Sequence, residues 1–287
     1  MRTIALCQVY LEEGFVLRAL RWIYPLVDQI VITENWLSPF PKPPPDDTGK
    51  FIRRFISRYD EKEKIKLLPP CDISSARSRE EAEGINKRYM LKHADIEDGD
   101  LIFILDVDEF YDPDYFLYIK EQFKKNDKLM HAVITEWQFA YSLDFAFKAS
   151  HEGRFMRYKR GATFGNTNHF FVDGKDITKD RSVVFNERRV YHLCWVKHPD
   201  LIKLKVLSFN RLNLTMWFNN CYLVYPRDPQ LAYQNNQKLP QYRGKGFAEG
   251  QDAPLERYRG RLPVELCDFD QNYYQVIKEW GHTWRIQ

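Results

Sequence analysis

Hydrophobic and polar positions along this chain fall into two rhythms. Residues 3–9, TIALCQV, and 101–105, LIFIL, are short apolar runs of strand length, the pattern expected of strands covered on both faces. Between Glu12 and Tyr24 the apolar residues Phe15, Ala19, Leu20 and Ile23 recur at helical spacing, and Pro25 ends the series. DQIVIT then reads as a second strand ending at Glu34-Asn35, so the chain opens with a β-α-β unit, which predicts a parallel sheet with helices packed on it.

The pattern continues in the same key to about residue 125. The stretch SPFPKPPPDDTGK (38–50) is too rich in proline for regular structure and reads as a mobile surface loop. FIRRFISRYDEKEK reads as a helix and KIKLLPP as a third strand. Ser78 followed by Glu81 forms a capping box for a helix reaching about His93. DGD turns the chain into the fourth strand, Leu101 to Leu105, and Asp112-Pro113 opens another helix running to about Lys125. Beyond it, HAVITEWQFAYSL, GRFMRYK and RSVVFN read as strands of an antiparallel, hairpin-like kind. DLIKLKVLSF, after Pro199, reads as a helix, and the tail is aromatic and loop-rich. The expected architecture is α/β: a mostly parallel sheet flanked by helices, followed by a mixed half.

Composition narrows the partners more than the fold. The chain has 287 residues, 44% of them hydrophobic and 15% aromatic, enough for a sizeable core. Its 43 basic and 40 acidic side chains leave a net charge of only +3, which argues against a general nucleic-acid binder. Cys7, Cys71, Cys194, Cys221 and Cys267 form no CxxC pair and read as reduced thiols of a cytoplasmic protein. No apolar run reaches the length of a membrane span, and the N-terminus turns polar too soon for a signal peptide.

The candidate chemistry lies at the end of the fourth strand, where LIFIL runs into Asp106, Asp108 and Glu109. In open α/β sheets ligands sit at the carboxyl ends of strands. Three carboxylates within four positions repel one another unless a positive group stands among them. Two separated by one residue at a strand end can share Mg²⁺ or Mn²⁺, hard ions that keep waters and meet substrate phosphates. The bland alternative is that the acids cap a helix or pair with arginines. A calcium EF-hand is excluded, because Phe110 and Tyr111 stand where that loop needs an acid and a glycine. Aspartyl-phosphate phosphatases and phosphomutases also use a strand ending in DxDx, but on the first strand, followed by threonine or valine.

The order of elements leading into DGDLIFILDVDEF resembles glycosyltransferases of the GT-A fold with their DxD motif. DVDE, preceded by a helix carrying RE and NKRYML, looks most like glycosyltransferase family 17, the β-1,4-N-acetylglucosaminyltransferase group. YHLCW (191–195) is similar to that family's WHCSW segment. The likeness covers roughly residues 1–215. It implies a GT-A domain with a nucleotide-binding half (1–125) and an acceptor half (126–215), and residues 216–287 as an extension on it. It further implies transfer of a sugar from a nucleotide-sugar donor, UDP-linked and possibly UDP-GlcNAc, to a glycan acceptor with inversion. A non-catalytic sugar-binding module that keeps the fold is the reading of a different class.

Residue by residue, the resemblance makes Asp106 face the ribose or the metal, Asp108 hold the Mn²⁺ or Mg²⁺ that bridges the diphosphate, and His192 the far-side metal ligand. It places Gln8, Val9, Tyr10, Glu12 and Glu34 around the base and ribose. Arg79 and Arg88 meet the phosphates or else neutralise Glu109. Inversion needs a carboxylate base; the candidates are Glu136, Asp144, Asp173 and Glu187, with Glu136 preferred because it follows an apolar strand among Trp137, Phe139 and Tyr141. Trp195, Trp217 and Tyr222 line an acceptor cleft or belong to the core. The basic run Arg154, Arg157, Lys159 and Arg160 assists the leaving group or, as a charge run, forms a solvated strand face. The chain departs from the animal enzymes in lacking a membrane anchor, which favours a bacterial or viral glycan as acceptor.

Overall fold

The computed structural model describes residues 1–10, 12–34, 47–140, 142–166, 169–178, 182–197, 202–203 and 256–263, with isolated positions at 219, 230–231, 234 and 266. In chain order the elements are β1 (Thr3–Val9), α1 (Glu13–Ile23), β2 (Gln29–Glu34), α2 (Thr48–Tyr59), β3 (Ile65–Leu68), α3 (Arg79–His93), β4 (Leu101–Leu105), β5 (Glu109–Tyr111) and α4 (Pro113–Lys125). There follow β6 (His131–Ala140), β7 (Phe145–Arg157), β8 (Thr163–Phe164), β9 (Phe170–Val172), β10 (Lys175–Asp176), β11 (Ser182–Phe185), β12 (Val190–Trp195) and β13 (Glu256–Arg257). By contact density the chain divides into two units, Met1–Glu136 with Ser150–Val190, and Trp137–Ala149 with Tyr191–Gln287.

The first unit is a Rossmann-like α/β layer structure. Its strands run in the order β3-β2-β1-β4-β7, parallel up to β4, with β7 antiparallel beside it. Residues of β1, β2 and β4 are buried on both faces, which is why their sequences read as unbroken apolar runs. Side chains alternate between two covers. Ile4, Leu6, Val31, Ile102, Ile104 and Met156 form a core with Met90 and Leu91 of α3. On the opposite face Phe103 meets Trp22 of α1, Phe116 of α4, Tyr111 of β5 and Phe155 of β7, with ring centroids 4.7–6.4 Å apart. Phe103 is fully buried, so truncating it to alanine costs about 3–5 kcal/mol.

Local signals place the helices. Ser78 Oγ accepts a hydrogen bond from the Glu81 amide at 3.1 Å, and the Glu81 carboxylate accepts one from the Arg77 amide at 2.8 Å. Asp112 caps α4, with Pro113 in its first turn. α2 starts at Thr48, so the last three residues of the expected proline-rich loop are helical; residues 35–46 lie outside the described set. Asp100, at the turn into β4, takes the Arg2 amide at 2.8 Å and the Arg2 guanidinium at 2.9 and 3.1 Å, tying the first strand's start to the fourth's.

The mixed half departs from expectation in strand direction. β11 pairs with β6 in parallel, Ser182 opposite His131, instead of as a hairpin. β8, β9 and β10 form a small antiparallel sheet whose β9–β10 turn, Asp173-Gly174, has both residues at positive φ (51° and 72°), as a two-residue hairpin turn requires. α3 approaches that sheet closely, since a Cβ at Gly84 would collide with the Gly165 carbonyl. In the second unit β12 runs parallel to residues 137–140 of β6, with Tyr191 opposite Trp137 and His192 opposite Gln138, and β13 lies antiparallel to β7. Of the helix expected after Pro199 only Ile202 and Lys203 are described, both helical. Among the described residues no helix is long and apolar enough to cross a membrane.

Candidate functional site

β1 and β4 are in register so that Cys7 lies opposite Leu105, which puts the next residues, Gln8 and Asp106, level at the carboxyl end of the parallel sheet. Five buried apolar residues hold β4 in the centre of the layer; the chain then turns at once, with the Glu109 amide donating to the Asp106 carbonyl at 2.9 Å. That turn delivers Asp106, Asp108 and Glu109 within a small volume. The Asp106 side chain is 40% exposed, whereas Asp108 and Glu109 are buried.

The positive group these acids require is Arg154 of β7. Its Nη2 donates to Asp106 Oδ2 at 2.6 Å and also to Glu109 Oε1, and its side chain is only 3% exposed. Burial opposes the guanidinium charge, but Asp106 and Glu109, with Tyr111 and Glu136 further out, outweigh it and hold the pKa well above the ordinary arginine value. The residue before it, Gly153, has φ of 73°, a conformation open to glycine at little cost, and this left-handed step leads directly into Arg154. Arg154 and Arg157 were expected to lie on a solvated strand face; both are buried, because β7 is covered on both of its sides, while Lys159 and Arg160 are exposed.

Electrostatics trace the rest of the cluster. The buried Cys7 thiol is pushed well up, first by burial and then by Asp106, Glu12 and Asp108, so these acids converge on the end of β1. The Tyr111 hydroxyl is likewise pushed up by burial and by Glu109. A Glu136 carboxylate oxygen lies within 4.8 Å of one of Glu109, and Glu136 is itself buried. Glu109 and Glu136 thus bring two buried carboxylates together, oxygen donors of the kind hard divalent cations prefer, and Arg154 joins Glu109 to Asp106.

Other expected residues are placed less centrally. Val9 is buried and presents only backbone, and Gln8 and Tyr10 are half-buried at the strand end. The Glu12 amide donates to Thr48 Oγ1 at 3.0 Å. The Glu34 carboxylate rests against Gly49 in the first turn of α2, where the helix dipole favours an anion. Arg88 donates to the carbonyls of Phe164 and Gly165 at 2.8 and 3.3 Å, bonds that tie α3 to β8. Arg79 is the first residue of α3. Asp173 belongs to the β9–β10 turn, Glu187 lies 3.8 Å from Arg189, and Asp144 is exposed.

In the second unit His192 is buried on β12. Phe139 is core, packed against Tyr191 and Tyr258, while Trp137 is half-buried, 5.4 Å from the Tyr258 ring centroid and with Lys148 Nζ 5.4 Å from its own. Trp195 is buried; Tyr141, Trp217 and Tyr222 lie outside the described residues. Arg154 stands in the basic run that the sequence marks, but its pairing with Asp106 and Glu109 was not foreseen. Its signal was the Gly153 before it and the apolar Phe155 and Met156 after it, which mark the strand as covered rather than solvated.

No family model matches the sequence, and no curated protein matches it either. Solved structures that the fold is similar to include a mannose-6-phosphate isomerase from Helicobacter pylori (12% identity, 77% of this chain and 81% of that one, TM-score 0.32). Others are a 4-diphosphocytidyl-2C-methyl-D-erythritol synthase (15% identity, 60% and 74%, TM-score 0.32) and a mannose-1-phosphate geranyltransferase from Thermus thermophilus (12% identity, 89% and 76%, TM-score 0.30). Identities this low and TM-scores below 0.5 leave the chemistry of the site to its own residues.

Proposed function

We propose that the chain is a metal-dependent glycosyltransferase of the GT-A kind, moving a sugar from a UDP-linked donor, with UDP-GlcNAc the first to try, to a glycan acceptor with inversion. The observation that carries this reading is the Arg154-anchored carboxylate cluster at the carboxyl end of the central strand β4. In this reading Asp106 and Asp108 would hold a Mn²⁺ or Mg²⁺ ion. When bound, the ion neutralises the negative charge that develops on the departing nucleoside diphosphate.

The chain's own residues do the rest. Gln8, Tyr10, Glu12 and Glu34, at the ends of β1 and β2, border the base and ribose. Arg79, at the head of α3, is the cation proposed for the diphosphate, since Arg88 is bonded to backbone carbonyls. Glu136 takes the proton of the acceptor hydroxyl as that oxygen bonds to the anomeric carbon and the bond from that carbon to the diphosphate oxygen breaks.

Calorimetric titration with UDP-, GDP-, TDP- and CMP-sugars, with and without Mn²⁺, on wild type and Asp108→Ala tests the reading. Binding of one donor that depends on Mn²⁺ and disappears in Asp108→Ala is the expected result. Absence of binding by every donor under both conditions overturns it.

A further inference from the structure

The outer side of β11 lacks the features that protect a sheet edge. β6 is the one strand paired with β11 among the described residues, in parallel register with Val183 opposite Ala132 and Val184 opposite Val133. Edges that face water ordinarily carry charge or proline, because their open N–H and C=O groups invite another strand. β11 is Ser182, Val183, Val184 and Phe185, with neither charge nor proline. Successive residues of a strand point to opposite faces. Yet Val183 is 44% exposed and Val184 58% exposed, so apolar surface stands open on both faces of the strand. Phe185 is covered, with Tyr118 of α4 edge-on at 6.0 Å. Tyr118 and its neighbour Leu117 are themselves nearly half exposed. Four of the seven large apolar residues exposed among the described ones thus lie on β11 and the helix that packs on it.

We propose that β11 is the interface of a homodimer, pairing antiparallel with β11 of a second copy so that the sheet continues across a twofold axis. Antiparallel pairing of identical strands requires that axis to be normal to the sheet, and residues opposite each other then point to the same face. A residue therefore faces either its own copy or one an even number of positions away. Centring on Val184 sets Val184 against the partner's Val184 on one face and Val183 against the partner's Phe185 on the other. Charge favours the same register: Arg181 and Glu187 stand three residues before and three after Val184, so unlike charges fall together at both ends. Centring on Val183 would set Ser182 against Val184, and centring on Phe185 would set Val183 against Glu187. The normal axis also keeps both copies of α4 on one face, so Leu117 and Tyr118 approach the junction from the same side in each. Stable interfaces bury about 1,200–2,000 Å² in total, and a short strand with two helical side chains stands at the low end, so the dimer depends on concentration.

Sedimentation velocity of the full chain over a range of concentrations, for wild type and Val184→Lys, is the first test. Wild type is expected to pass from one chain to two as concentration rises. Val184→Lys, which places a charge at the exposed edge, is expected to lose the dimer and keep the wild-type melting temperature. Cysteine variants read the register. With Val184 on the axis, Val184→Cys brings two Cα atoms within about 4.5–5.5 Å, inside disulfide range. Val183→Cys sets them about 8 Å apart, outside it. Mild oxidation is expected to link Val184→Cys into covalent dimers and to leave Val183→Cys no more linked than wild type, whose own cysteines set the background. Wild type remaining a single chain at every concentration overturns the inference and leaves the edge to a strand of a different protein. Val184→Lys dimerising as well as wild type moves the interface elsewhere, and Val183→Cys linking as readily as Val184→Cys breaks the register; either result also overturns it.

Discussion

Arg154 and Arg157 are three residues apart on one strand, and both are buried, yet their surroundings are opposite in kind. Arg154 meets formal charge, the carboxylates of Asp106 and Glu109. Arg157 meets backbone dipoles: Leu129 and Asn126 carbonyls at 3.1 Å, the Gly99 carbonyl at 3.2 Å, and the Phe123 carbonyl. Phe123 belongs to the last turn of α4 and Asn126 caps it, so Arg157 serves as a cation at a helix C-terminus. The pKa directions follow, raised for Arg154 and lowered for Arg157, where burial dominates. The same side chain braces backbone carbonyls at the end of β7 and, three residues earlier, joins two carboxylates. Structural arginines satisfy carbonyls that water would otherwise have to reach, whereas an arginine buried among acids constrains groups that could bind something else.

Breaking the charged end has the largest expected effect. Arg154→Gln in metal-free buffer should lose about 3–5 kcal/mol of stability in urea unfolding, the usual cost of stripping one partner from a buried ion pair. At the framework end, His131 opens β6 immediately after Met130, whose carbonyl accepts from the Arg157 amide at 2.9 Å. Burial lowers the His131 pKa from 6.5 to about 4, with Asp176 opposing in part. The folded state binds this proton less readily than the unfolded chain, so the stabilisation is full above about pH 6.5 and is lost as pH falls through about 4. It amounts to about 3 kcal/mol. His131→Gln should flatten that acid limb without moving Mn²⁺ affinity, and an unchanged limb would refute the assignment.

Arg157→Gln comes next, at about 1–3 kcal/mol for the carbonyls left behind. Its loss should be the same with and without Mn²⁺, and rescue by Mn²⁺ would erase the contrast between the two arginines. The smallest effect is expected for Gly153→Ala, about 1 kcal/mol for a side chain at positive φ. That variant sharpens the comparison if Mn²⁺ affinity falls by more than the stability change accounts for, since it moves Arg154 and leaves Arg157's carbonyls alone.

Much of the framework is legible in the sequence. β1, β4 and α4 begin and end where apolar runs, the DGD turn and the Asp112-Pro113 cap place them. β5 was not foreseen, because three residues directly after a turn carry no periodicity. Nor was the parallel direction of β11, since alternation reports which face is buried and is silent on the partner's direction. Asp106 and Asp108 announce themselves by standing at the end of an apolar strand. Arg154 was hidden for the opposite reason: GRFMRYKR puts arginine on both faces of a strand covered on both sides, so the usual rule that charge marks solvent points the wrong way. Arg88 shows the complementary limit, as only the fold reveals that it holds the carbonyls of β8.

Cys7 turns the central strand into a clock. It lies on β1 between β2 and β4, fully buried, its thiol kept protonated by burial and by the neighbouring acids. Cys71, by contrast, is partly accessible in the native fold. A thiol reagent should therefore mark Cys71 promptly and Cys7 only after β1 has parted from its neighbours. The lag between the two reads out, at a single atom, how rarely the innermost part of the sheet opens.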